Sequence, residues 1–291
     1  MAGGATTANM DDTFVAATFD ANILPELRPS LTNRNFLGWA PASTGDGGST
    51  AHSFSLLGDP GAGTALTQGT DYTTVTDITT SKQTATAAEV GLMTTVSDVL
   101  IMVSLLDAIA TCSALLVRSV KEKWEADVAA EADGFGTSTT AASTLTPADL
   151  LAAISAIEQR DAATGPLVGY LHPKQTGELR SEIAATTALK TAAEAGVPMG
   201  AVTGETDGRG YFGNLFDVDI YQTSQVASSS SLRQGSIFVA GQCIGAKELW
   251  GPRVETERRA SLRGFFVIAT ADYGLVGVEV TNRGQMLKSA A

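Results

Sequence analysis

Val96–Trp124 reads VSDVLIMVSLLDAIATCSALLVRSVKEKW. Apolar residues recur at Val99, Val103, Leu106, Ala110, Val117, Val120, Trp124 and Val128, which is the stripe of one long helix. Ser97 suits the N-cap, and Asp98 sits where the helix dipole favours an anion. Gly134, after Asp133, supplies a stop. The pattern predicts a helix of about 36 residues, roughly 54 Å long. A membrane span is rejected on two counts. Asp107 would cost about 2.5–3.5 kcal/mol at a bilayer centre. The stripe also continues through the charged KEKWEADVAAEAD, which a bilayer does not require. The helix reads as a structural bar, buried along one side and, in its first half, on most sides.

The rest of the chain supports a folded protein. It has 291 residues, 44% of them hydrophobic and only 17% charged, with a net charge of −12. That length allows one large domain or two ordinary ones. The acidic balance argues against tight, sequence-independent gripping of DNA, which needs clustered Lys and Arg, but not against enclosing it. No secretory signal is visible in MAGGATTANMDD. Cys112 and Cys243 are expected as buried free thiols of a protein made in a reducing cytoplasm.

Outward from the bar, residues 1–40 hold irregular apolar residues broken by Pro25 and Pro29, which predicts an extended arm. Residues 41–90 are rich in Gly and Thr and predict a long hairpin with few buried residues. Beyond Gly134, TPADLLAAISAIEQRD is a helix with Thr146 as N-cap and Pro147 in its first turn. GPLVGYLHP is a short buried strand, KQTGELRSEIAATTALKTAAEAG one or two helices, YFGNLFDVDIYQTSQV a turn and a strand, and SIFVAGQCIGAKELW another buried strand. This order predicts a compact α/β unit. The tail predicts two long antiparallel strands around a turn near Arg258–Arg263, returning beside the long helix.

Catalytic chemistry is sparse. His52 lies in a Gly/Ser loop and His172 at a strand end, with no Cys or His at ligand spacing, so no metal site is expected. GRGYFG, Gly208–Gly213, fits a dinucleotide pattern, but a polar stretch precedes it and a strand-like one follows; it reads as a glycine turn. GDPGAG lacks the Lys-Ser/Thr of a phosphate loop. The carboxylates of EADVAAEAD, Glu125–Asp133, read as a solvated helix face. No catalytic or cofactor-binding residue is assigned, and no enzyme activity is expected. Arg253, Arg258, Arg259 and Arg263 form a basic cluster, either a solvated hairpin tip or a set of ion pairs to an acidic neighbour.

Four phrases in shared order carry a family resemblance: TTVSDVLIM, LVGYLHPKQTGELRSE, GNLFDVDIYQTSQV and FFVIATADYGLVGVEVTN. Together they resemble the major capsid protein of tailed bacteriophages, the Hong Kong 97 type. The resemblance implies an α+β fold with an N-terminal arm (1–40), an extended β-hairpin loop (41–90) and a peripheral domain with a long spine helix (91–134). An axial α/β domain (135–250) and long strands returning through the peripheral to the axial domain (251–291) complete it. It implies a self-assembling icosahedral shell of pentamers and hexamers around double-stranded DNA, part of the virion and assembled in the host cytoplasm. It implies no membrane and no cofactor. A portal is a further partner, a separate scaffolding protein, or none, is implied, and stability comes from non-covalent contacts or a cement protein. Candidate intersubunit contacts are Arg258, Arg259, Arg263, Tyr72 and Trp39. Lys82 is the only lysine of the loop region and sits near its base, so no covalent weld between subunits is expected. Two other readings compete with this one. An encapsulin-like compartment shell usually begins with a helix and has a shorter loop, unlike residues 1–90. An α/β enzyme with a β-rich appendage requires a polar constellation that the sequence lacks.

Overall fold

The computed structural model describes residues 36–40, 49–58, 60–63, 65, 67–69, 76–103, 107–160, 165–185, 211–226 and 232–290. The strands are β1 (Gly38–Trp39), β2 (Ala51–Leu57), β3 (Thr80–Thr86), β4 (Ala88–Ser97), β5 (Ser138–Thr140), β6 (Leu167–Leu171), β7 (Tyr211–Leu215), β8 (Val218–Gln222), β9 (Leu232–Val239), β10 (Ile244–Arg259), β11 (Gly264–Gly277) and β12 (Gly284–Ala290). The helices are α1 (Asp98–Val103), α2 (Ala108–Asp133), α3 (Pro147–Glu158), α4 (Pro173–Ala185) and a single turn, α5 (Val280–Arg283).

Three sheets result: a four-stranded one in the order β1-β10-β11-β4, a six-stranded one in the order β5-β12-β9-β6-β8-β7, and the two-stranded ribbon β2-β3. β10 and β11 pair antiparallel from Ile244↔Gly277 to Arg259↔Gly264. The ladder shifts register on both sides of Trp250, next to Gly251 and Pro252. Proline has no N–H to give a ladder, so an irregularity there is the expected accommodation.

β11 alternates. Val267, Ala269 and Ala271 face inward and meet Cys112, Leu116 and Val120 of α2, together with Val96 of β4. β6, by contrast, is buried at every position. Its sheet is covered on both faces, so its residues need no alternation. Leu167 and Leu171 join the cluster of α3 and α4, while Val168 and Tyr170 join Val128, Ala129, Ala132 and Phe135. The single helix α2 thus serves both large sheets, its first half against one and its last turns against the other. Each buried Leu, Val or Phe of these clusters contributes about 1.5–3 kcal/mol.

Several local readings hold. Thr146 and Asp149 form a reciprocal capping box at the start of α3, with proline in the first turn. The ribbon, the β10–β11 pair and its turn at 260–263 lie where expected. Cys112 and Cys243 are buried and free.

Three expectations are corrected. The bar is not one helix from Ser97 to Asp133. α1 ends at Val103, and α2 starts at Ala108 with Asp107 as its N-cap, the carboxylate accepting from Ile109 N and Ala110 N. Asp107 is therefore a helix start, not a mid-helix anomaly, and the helical phase resets there. Leu100, Cys112 and Leu116 point inward, while Val99 and Val103, expected inside, are exposed. Ser97 still caps α1, its Oγ accepting from Leu100 N at 3.2 Å, but it also ends a ten-residue strand, β4, that the sequence reading did not anticipate. Finally, SIFVAGQCIGAKELW is not one strand: Ala240–Cys243 turn the chain from the six-stranded sheet into the four-stranded one.

Candidate intersubunit surface

The far end of the β10–β11 pair is closed by a 3-10 turn, Ala260–Leu262, and by Arg263 in the left-handed region at φ 47°. Asp98 N donates to Arg263 O at 2.8 Å, which fixes the start of α1 to this tip. The Arg258 guanidinium forks onto Asp98, Nη2 to Oδ2 at 3.0 Å and Nη1 to Oδ1 at 3.3 Å, and lies over the Phe265 ring. Arg259 pairs with Glu257 at 3.5 Å over Phe266, and Arg253 with Glu255 at 3.4 Å over Trp250. These side chains are more than half exposed apart from Asp98, so each pair contributes at most about 1 kcal/mol. The structure thus satisfies Arg258 and Arg259 within their own chain. Arg263 makes no ion pair among the described residues. Asp98 as the partner of Arg258 went unnoticed in the sequence because it depends on β11 pairing with the unforeseen β4, Gly264 opposite Ser97.

Trp39, half-buried, stacks on Trp124 of α2 with ring centroids 5.8 Å apart, and Trp124 in turn meets Tyr273. β1 brings it there by parallel pairing with β10. Tyr72 lies outside the described residues. Among the described residues the ribbon β2-β3 pairs only with itself. Its base is held by the Phe54 ring, which occupies the space above Gly245, and by Thr86 against Gly274. Toward its other end Leu57 and Ile78 are exposed. An isolated two-stranded ribbon is marginal in water.

The carboxylates of Glu125–Asp133 do not form a solvated face. Asp127 accepts the Tyr273 hydroxyl at 2.7 Å, Glu131 accepts Gly277 N at 2.9 Å, and Glu125 is buried. Asp127 and Glu131 fasten α2 to β11, because the sheet lies on that side of the helix. Burial and the bond to Asp127 push the Tyr273 pKa well above its ordinary value. His172 Nδ1 accepts from Lys174 N at the start of α4, and burial, with Arg233 and Lys174 nearby, lowers its pKa. Among the described residues no group of three His, Cys, Asp or Glu side chains is placed to hold a metal ion, and no helix is long and apolar enough to cross a membrane.

Burial pushes the Cys243 thiol from 9.0 up to about 12, and burial with Asp219 raises Tyr211 from 10.0 to about 12. The folded state holds both protons more tightly than the unfolded chain does. Their contribution is complete below pH 9 and is lost as pH rises from 9 toward 12. Urea denaturation across that window is expected to show falling stability, with a shallower slope in Cys243→Ala. An equal slope in the variant would exclude the thiol as a cause.

No family model matches the sequence, and no curated protein matches it. Solved structures do match. A chain of Mycobacterium phage Che8 superposes with a TM-score of 0.72 at 13% identity, covering 95% of this chain and 97% of that one. The head structure of Helicobacter pylori bacteriophage KHP40 gives 0.70 at 11% identity, covering 98% of both chains. The capsid of Cyanophage P-SCSP1u gives 0.68 at 15% identity, covering 94% of this chain and 93% of that one. The chain has the fold shared by these phage structures, a head and a capsid among them.

Proposed function

We propose that this chain is the major capsid protein of a tailed bacteriophage, self-assembling through pentamers and hexamers into the icosahedral shell around a double-stranded DNA genome. The observation that carries this reading is the capsid likeness running over nearly the whole of both chains, 98% of each for the KHP40 head. Little of the chain is left over for a separate activity, which supports a structural role rather than an enzymatic one.

Within that reading, residues 1–40 are the arm, 41–90 the extended loop, 91–134 with the long strands of 251–291 the peripheral domain, and 135–250 with the last strand the axial domain. The self-paired ribbon and the tip at Arg258, Arg259 and Arg263 are contact elements toward neighbouring copies. Trp39 holds the arm's exit point. Cohesion is non-covalent. A portal is a further partner in the virion, a cement protein the alternative source of cohesion, and a separate scaffolding protein, or none, acts during assembly in the host cytoplasm. The net charge of −12 suits a wall that encloses DNA without gripping it.

Negative-stain microscopy of the purified full chain tests the proposal. Closed shells are expected. A monodisperse monomer at every concentration and salt condition would overturn it.

A further inference from the structure

The six-stranded and four-stranded sheets are joined by a narrow bridge. The chain crosses between them at Ala240–Cys243, from β9 to β10, and at 278–283, from β11 to β12. The two crossings are bonded to each other, Cys243 O accepting from Val278 N at 2.8 Å and from Glu279 N at 3.4 Å. A single bridge of this kind leaves one sheet free to rock against the other unless something packs across it. α2 does so on one face of both sheets. Along the outer edge of β10 lies a second such element, the segment Phe36–Ala40.

Its residues engage different parts of the molecule. The Phe36 ring meets Tyr221 of β8, in the six-stranded sheet, with centroids 4.5 Å apart. Phe36 O accepts from Gly241 N, inside the first crossing, at 2.8 Å. Leu37, 3% exposed, enters the core cluster that the last turns of α2 share with Tyr170 of β6 and Phe238 of β9. Gly38 and Trp39 pair with Gly245 and Ala246 of β10, in the four-stranded sheet, and Trp39 stacks on Trp124. Ala40 N donates to Ala246 O at 2.9 Å. Gly38 leaves no room for a side chain, since a Cβ there would stand 2.7 Å from Gly241 O. The segment carries no charge, so salt does not screen its contacts.

We propose that Phe36–Ala40 is a staple that fixes the angle between the two sheets, with Phe36 holding the six-stranded one and Trp39 the four-stranded one and α2. In the proposed shell, on which this inference rests, that angle sets the curvature each copy contributes. The staple holds every copy to the same curvature.

Substitutions in the full chain test it. Phe36→Ala and Trp39→Ala release the two ends separately. Independent contacts would lose stability additively; a staple would not, because once one end is free the other no longer holds the sheets together. Urea denaturation of the two single variants and the double variant is expected to show a coupling of at least about twofold in the unfolding constant. Far-ultraviolet circular dichroism checks that each variant folds, and a milder cycle with Phe36→Leu and Trp39→Leu serves if the double alanine variant does not. At the wild-type assembly concentration the double variant is expected to lose the single diameter of wild-type shells, giving mixed sizes or open sheets. Trp39→Phe, which keeps a ring on Trp124, is expected to retain it. Additive losses, or double-variant shells of the wild-type diameter, would overturn the staple and leave the shell function standing. A wild-type chain that forms no shells would overturn the shell function, and the urea coupling alone would then decide the staple.

Discussion

Gly274→Val is expected to lower stability by about 3 kcal/mol, the upper end for forced overpacking. The change is counterintuitive, because valine ordinarily suits a strand. Gly274 lies within β11, where the ribbon leaves the body. A Cβ there would collide with the backbone carbonyl of Thr86 and come within 2.9 Å of Ala87 N. A flexible side chain can swing aside; a peptide group between two paired strands cannot. The ribbon base must lift away, and β4, which begins at the next residue, loses its register with Tyr273↔Ala88. Urea denaturation measures the loss, and limited proteolysis at 51–86 should quicken. Gly177→Ala is the control. It sits on the exposed side of α4 with nothing within 4 Å of its Cβ position, and helix propensity predicts a gain of up to about 1 kcal/mol. Equal effects at the two glycines would show that crowding at Gly274 is not the cause.

Phe135→Ala should cost about 3–5 kcal/mol, the range for deleting a buried aromatic ring. Phe135 is 1% exposed and directly follows Gly134, the C-cap of α2. Its ring meets Phe238 of β9 edge-on at 6.0 Å and fills the space over Gly284, the first residue of β12. Helix end, β9 and β12 therefore share one side chain, and its removal leaves a cavity that none of the three can close by moving alone. Chemical denaturation with a constant m-value is the measurement. A loss below about 1 kcal/mol would mean that these elements collapse into the gap and that the ring is no keystone.

What was legible in the sequence follows from where the signal resides. The start of α3 was legible because a capping box and a first-turn proline are local chemistry. The β10–β11 turn was legible because its apolar strands flank a run of arginines. β4 was missed because its exposed Leu92 and Met93 break the alternation of a half-buried strand, and because its residues run without a gap into a helix. The break at Asp107 was hidden by a hydrophobic stripe that fits a continuous helix, and only the two amides accepted by its carboxylate reveal a new start. The carboxylates of α2 were misread because helical spacing says which residues share a face but not which face a sheet will cover. The arginine cluster was found, yet its pairing with Asp98 spans 160 residues, a distance at which spacing is silent.

The interruption at Asp107 has a kinetic meaning. α1 has six residues and one buried side chain, Leu100, well short of the length at which a helix holds itself together. The Ser97 cap, the Asp98 contacts with Arg263 and Arg258, and Leu100 together offset roughly 1–2 kcal/mol of backbone entropy per residue fixed, and little more. In the proposed shell, a joint made through such an element would let go quickly, since differences in affinity appear mostly as differences in dissociation rate. A copy added in the wrong orientation would then leave before its neighbours locked it in, and errors in a growing lattice would be erased as they arose.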